Sequence, residues 1–222
     1  LQMVNDVVEG SKAAKLNTPG AISVIAVSTK LMATPSDIDY MDKLFGPTQL
    51  KGRISINNPV EENLAEAVDA FKVKPSEINV VVMDRDRNAH YINACQKFGV
   101  NLILIKAGDF MPSILACLNP KTHQKGVHIL MGIGGFEEGV MAVVAAKALG
   151  AACETKGWSS EPEAAKKYQK VWSVDEVVSG QIEDCLVSIT AITDDIKWFD
   201  LPSLSTLTVD PSGVKIEKHV HH

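Results

Sequence analysis

The sequence predicts an α/β fold built in layers, with helices alternating with the strands of mixed sheets. Three observations carry this. Apolar, β-branched runs at residues 78–83, 100–105 and 127–131 alternate with segments of helical spacing at 59–71, 88–98 and 137–149. The strand runs are nearly continuous in apolar residues, as in sheets covered on both faces. Apolar residues make up 45% of the 222, enough for one substantial core.

In chain order, residues 21–28 (AISVIAVS) have the composition of a short buried strand. Pro35, Gly46, Pro47 and Gly52 then punctuate a loop-rich stretch with a short strand near Ile54. Pro59 opens a helix whose first turn carries Glu61 and Glu62, acids suited to its positive end, and Leu64, Ala67, Val68 and Phe71 continue it. A strand at 78–83 is followed by a helix over 88–98, closed by Gly99 in the usual C-terminal role. A strand at 100–105, a helix at 110–118, a strand at 127–131 and an Ala/Val-rich helix ended by Gly150 complete the alternation.

Beyond Ala151 the pattern loosens. Residues 161–169 read as an exposed helix, and Ser173-Val174-Asp175-Glu176 has the spacing of a capping box. A strand at 185–192 precedes a hairpin of strands 204–209 and 214–220 around Asp210-Pro211-Ser212-Gly213. No internal repeat or low-complexity linker divides the chain.

The net charge of −5 is mild and Lys and Arg are scattered, so no basic face points to nucleic acid. No apolar run approaches the roughly 18 residues of a membrane span. The four widely spaced cysteines, Cys95, Cys117, Cys153 and Cys185, fit neither a zinc pattern nor a disulfide framework and read as buried free thiols of a reducing compartment. The chain begins with Leu1 and has neither signal nor transit composition, so either a leader is removed or the chain is part of something longer.

Two segments could carry chemistry. Gly132-Ile133-Gly134-Gly135-Phe136-Glu137-Glu138-Gly139 follows an apolar strand and enters a helix. Backbone amides at such a turn can approach a phosphate, and its glutamates can hold a cation; it can equally be a tight connection whose acids favour the helix start. Asp6-Val7-Val8-Glu9-Gly10-Ser11 sets two carboxylates about a tight turn, followed by a glycine amide and a hydroxyl, and can also be a solvated turn. Phosphate-ester hydrolysis at neutral pH usually needs a dication, and magnesium and manganese prefer carboxylate ligands. Arg85 and Arg87 offer forked donors to a phosphate, or form a solvated turn with Asp84 and Asp86.

Taken together these segments resemble class II fructose-1,6-bisphosphatase, a family that in cyanobacteria also hydrolyses sedoheptulose-1,7-bisphosphate. The family's Asp-Pro-x-Glu-Gly-Thr is similar to residues 6–11, and its Gly-x-Gly-Gly-Ala-Pro-Glu-Gly to residues 132–139. Tyr40-Met41-Asp42-Lys43-Leu44 resembles Tyr-Met-x-Lys-Leu, and Asp84-Arg85-Asp86-Arg87 resembles Asp-Arg-Pro-Arg. Gly108-Asp109 and the following Ser113-Ile114-Leu115-Ala116-Cys117 resemble a family helix start. The resemblance is nearly gap-free over residues 6–150 and weaker after it.

The resemblance implies a layered sugar-phosphatase-type fold lacking the family's N-terminal portion. It implies one α/β body over residues 1–222, with 1–58 a remnant of the metal-site subdomain, 59–150 an alternating β/α subdomain, and 151–222 a divergent part with the hairpin. Asp6, Glu9 and Glu138 would be ligands of magnesium or manganese. Glu9 and Ser11 would be catalytic and, with Gly10, would cradle the scissile phosphate. Tyr40, Arg85, Arg87, Gly108, Asp109 and Gly135 would surround the sugar and its second phosphate. The implied partners are a sugar bisphosphate and either further copies of the chain or a larger complex. The implied place is the cytoplasm, a plastid or a mitochondrion, with any targeting peptide outside this chain.

Departures from the family pattern point toward an incomplete and impaired site. The family's acidic Gly-Glu-Gly-Glu segment upstream of Asp6 has no counterpart here. Val7 replaces a proline, Ser11 a threonine, Asn88 a histidine and Ala107 an aspartate. Asp86 places an anion between the two arginines, and Phe136-Glu137 adds bulk and charge beside Glu138. Leu16-Asn17-Thr18-Pro19 alters a Gly-Gln segment, and Ala191 stands for a glycine. The alternative reading is therefore a non-catalytic structural subunit that keeps the phosphatase fold.

Overall fold

Two sheets, with helices between and outside them, make up the computed structural model, which describes residues 1–121, 126–194 and 197–218. The strands in chain order are β1 (Gln2–Glu9), β2 (Ile22–Ser28), β3 (Tyr40–Gly46), β4 (Asn79–Met83), β5 (Asn101–Ile105), β6 (Ile129–Gly135), β7 (Ala152–Trp158), β8 (Val171–Ser173), β9 (Leu186–Ala191), β10 (Thr206–Asp210) and β11 (Gly213–Glu217). The helices are α1 (Ser11–Leu16), α2 (Val60–Phe71), α3 (Ala89–Phe98), α4 (Phe110–Cys117), α5 (Phe136–Ala148), α6 (Pro162–Lys167) and α7 (Val174–Val177).

One sheet is antiparallel, in the order β1-β2-β9-β10-β11. The other is mixed, in the order β5-β4-β6-β3-β7-β8, with β4 parallel to both β5 and β6 and β3 antiparallel to β6 and β7. Helices α4 and α5 fill the space between the sheets, and α2 and α3 cover the outer face of the mixed sheet. This four-layer stack fits the expected α/β class, and strands β4 and β6 are nearly all apolar because both of their faces are covered.

Helix α5 touches both sheets, so nearly every residue on it is buried, including Val140, Val143, Val144, Ala145 and Ala146. A helix apolar all round belongs in an interior, and its small Ala and Val side chains let the two sheets approach from opposite sides. Helix α2 instead buries one face through Leu64, Ala67 and Phe71, and its Asn63 bonds the backbone of Ser55 in both directions.

Strands β2, β4, β5 and β9 and helices α2 to α4 and α6 lie within a few residues of the expected positions. The capping box forms at Ser173 and Glu176, and the hairpin turns at Asp210. Residues 219–220 of its expected second strand lie outside the described residues. All four cysteines are unpaired. Among the described residues no helix is long and apolar enough to cross a membrane.

Four local expectations are corrected. No strand forms near Ile54, whose buried side chain instead joins the cluster under α2. The loop-rich stretch contains β3, a strand inside the mixed sheet. Its pattern is masked by the half-buried Asp42 and the buried Lys43, two charges with partners from distant segments. Strand β7 lies in the region where the pattern loosens. The glycine segment is no turn either: Gly132, Gly134 and Gly135 belong to β6, and α5 follows directly at Phe136.

Candidate metal centre

Asp6 and Glu9 lie on β1, where a tight turn was expected. Asp6 pairs with Val24 and Glu9 with Ile22, so three steps on β1 face two on β2, with a bulge between. In a regular strand, residues three apart point to opposite faces; one extra residue brings them to the same side. Glu138 approaches from the first turn of α5, at the positive end of a helix of 13 residues. One oxygen of each of these three carboxylates lies within 4.8 Å of the other two, and all three residues are half-buried.

Glycines give this corner its space. A β-carbon at Gly135 would stand 1.9 Å from Glu138 Oε2, so only glycine lets that carboxylate fold back over the strand end. Gly10 has φ +78° and ends the strand in the left-handed conformation, where a β-carbon would also meet Gly20 O at 2.9 Å. Ser11 then opens α1 and is exposed. Gly108 sits beside the corner: its β-carbon would lie 3.9 Å from Glu9 Oε1.

The electrostatics of the corner are unfavourable without a cation. Burial, the charge of Glu138, a hydrogen bond and charge from Asp6, and the charge of Asp109 together push the Glu9 carboxyl up to about 7. The linkage has a definite sign. In the unfolded chain Glu9 titrates near 4.5, so between pH 4.5 and 7 the folded protein holds the extra proton. Metal-free stability should therefore fall as pH rises through that window, by about 2 kcal/mol once screening of this partly exposed group is discounted. Urea unfolding at pH 5 and pH 7.5 measures it; Glu9→Gln should flatten the difference, and an unchanged slope in that variant would reject the assignment to Glu9.

The other expected site residues divide into two groups. Tyr40 pairs with Gly135 across β3 and β6, and its ring lies 4.3 Å from the Arg87 guanidinium carbon. Arg87 Nε donates to Ile133 O at 3.1 Å, which anchors Arg87 at the same strand end as the corner. Asp109 is buried and accepts from Lys43 Nζ at 2.7 Å. Arg85 is not drawn into this group; it is exposed and donates to Asp84 O.

Two neighbours outside the expected site residues shape this strand end. Asn88 is fully buried; its Nδ2 donates to Met83 O and Ile133 O, and its Oδ1 accepts from Ile133 N at 2.7 Å. It thereby fixes β6 just before the glycines. Lys43 is the second, and a charged residue amid the apolar Met41, Leu44 and Phe45 is the signal that marks it. Phe136 is 1% exposed and stacks edge-on to Trp172, so its ring fills the core.

A cavity of about 370 Å³ opens on the Glu9 side, floored by Glu9, Gly10 and Gly108 and walled by Leu16, Phe110 and Trp198. That volume suits a small molecule, yet the walls are largely apolar, and Tyr40, Arg85, Arg87, Asp109 and Gly135 do not line it.

The family model described as bacterial fructose-1,6-bisphosphatase, glpX-encoded, matches residues 1–196. The chain belongs to this family. Among relatives of this fructose-1,6-bisphosphatase family, the D-fructose 1,6-bisphosphatase class 2/sedoheptulose 1,7-bisphosphatase of Synechococcus sp. (strain JA-3-3Ab) is 33% identical over 211 residues, covering 85% of this chain and 58% of that protein. The protein of the same description from Thermosynechococcus vestitus is 34% identical over 199 residues, 79% of this chain and 56% of the relative. The fructose-1,6-bisphosphatase class 2 of Haemophilus influenzae is 28% identical over 214 residues, 94% and 60% of the two chains. The chain thus spans less than two thirds of the length of these relatives.

Proposed function

We propose that this chain carries a reduced form of the bisphosphatase site, in which Asp6, Glu9 and Glu138 hold magnesium or manganese and the substrate is a sugar bisphosphate. The observation that supports it is the convergence of three carboxylates from a strand bulge and a helix start, crowded enough to push Glu9 toward neutrality. Hard dications take such oxygen donors, and the chain makes room for them with Gly135. A dication there supplies charge neutralisation at a phosphate and a more acidic water.

The remaining chemistry belongs to side chains. The Gly10 amide and the Ser11 hydroxyl, next in sequence to Glu9, receive the scissile phosphate, and Ser11 orients the attacking water. Gly108, Asp109 and Gly135 contact the sugar. Tyr40 and Arg87, with Arg85 swinging in from solvent, take the second phosphate. Within residues 1–222 three carboxylates serve a site that the family builds with more, so activity of the chain by itself is low. A second reading, a non-catalytic subunit in an oligomer or larger complex, is favoured by Asp86, exposed between the two arginines, and by Ala107 at a sugar-facing position.

The test is phosphate release from fructose-1,6-bisphosphate with saturating Mn²⁺ or Mg²⁺. Slow, metal-dependent release abolished by chelation is the expected outcome. No release from any form of the protein at saturating metal would reject catalysis and leave the subunit reading, for which a stable partner on native purification is the matching result.

A further inference from the structure

Lys43 is 1% exposed, in the interior of the mixed sheet, and the single hydrogen-bonded partner of its ammonium among the described residues is Asp109 at 2.7 Å. Asp109 precedes α4, where a carboxylate ordinarily caps the helix, yet its side chain makes no capping bond. It reaches over β6 to Lys43 instead. The room for this pair is cut from the glycine segment. A β-carbon at Gly134 would stand 2.0 Å from Asp109 Oδ2 and 2.8 Å from Lys43 Nζ, and one at Gly139 would stand 3.2 Å from Lys43 Cε. The next glycine along from Gly134 is the one that makes room for Glu138, so the pair and the metal corner share a strand end.

Asp109 is close enough for its charge to act on Glu9, and its neighbour Gly108 borders Glu9 directly. Even so, Asp109 is not among the three residues whose oxygens converge. A buried carboxylate robbed of its cation takes a proton or another cation, and an ion held at the corner, where the charge of Asp109 already acts on Glu9, would supply one. We infer that Lys43 is a positioning residue that clamps Asp109 over Gly134 and so keeps a fourth carboxylate beside the metal set but outside it. The inference rests on the metal reading of the corner given above.

The experiment is Mn²⁺ titration calorimetry on the 222-residue chain and on Asp109→Asn, Lys43→Met and the double variant. A clamped Asp109 is no ligand, so D109N should cost less than tenfold in Mn²⁺ affinity. In the Lys43→Met background Asp109 has joined the ion, and adding D109N should cost more than tenfold. A loss above tenfold in the first comparison, or below tenfold in the second, overturns the clamp. If Lys43→Met does not fold, the D109N comparison decides alone by the same threshold. If the unaltered chain takes up no Mn²⁺, the metal reading of the corner fails and the clamp fails with it, an outcome distinct from a failure of the clamp alone.

Discussion

Glu138→Ala is expected to weaken Mn²⁺ binding at least about a hundredfold and to take metal-dependent phosphate release to background. The corner has three carboxylates, and loss of a ligand exceeds the tenfold to hundredfold typical of outer-shell partners. The fold should survive, because the Glu138 side chain makes no hydrogen bond among the described residues and is only half-buried. Without metal the effect on stability should reverse in sign: the Glu138 charge is the second-largest cause of the raised Glu9 titration, so removing it relieves repulsion. Calorimetry with Mn²⁺ and a thermal melt in chelator read the two effects separately. Unchanged Mn²⁺ affinity would remove Glu138 from the ligand set.

Gly134→Ala should produce the largest loss of stability, about 3–5 kcal/mol, the cost of breaking a buried ion pair. Its new methyl group would stand 2.0 Å from Asp109 Oδ2 and 3.0 Å from Asp109 Cγ. Neither partner can retreat into water, since Lys43 and Asp109 are both buried and Gly139 lies close against the Lys43 stem. The substitution puts no strain on the backbone dihedrals, because Gly134, unlike Gly132, does not have positive φ. Crowding is therefore the whole effect. The shift of the urea midpoint measures it; a loss under about 1 kcal/mol would mean that the pair finds a second arrangement at little cost.

The elements most legible in the sequence are those whose surroundings are uniform. Strands β4 and β5 read as strands because Val80, Val81 and Val82 are buried in the sheet, and Leu102 and Ile103 pack against the apolar clusters on its two faces. Strand β3 does not, because Asp42 and Lys43 look like loop residues until Tyr91 on α3 and Asp109 before α4 are brought to them. Those partners lie far along the chain, and no local periodicity can report them. Strand β7 is hidden in the same way: Glu154 interrupts it, and its carboxylate accepts bonds from Ser55 and the Ile56 amide.

The glycine segment shows a third kind of illegibility. Glycines are ordinarily read as turns, whereas here Gly134 and Gly135 sit in a paired strand because carboxylates press against them. The three converging carboxylates were reachable through the resemblance of two short motifs. The bulge that turns Asp6 and Glu9 to one side was not, since both residues would face opposite ways in a plain strand. Asn88, which differs from the family residue, nonetheless makes three bonds that register β6 against the end of β4.

The bulge has a mechanical consequence. Asp6 and Glu9 belong to the antiparallel sheet, while Glu138 rides on the helix that continues directly from the mixed sheet. An ion shared by all three would be a fastener between the two halves of the sandwich, drawn tight at one end of α5. At a hundred times its dissociation constant such an ion contributes about 2.7 kcal/mol to holding the halves together. Ion and fold are then tied in both directions, so the spacing of the two sheets sets the grip on the metal as much as the metal sets the spacing.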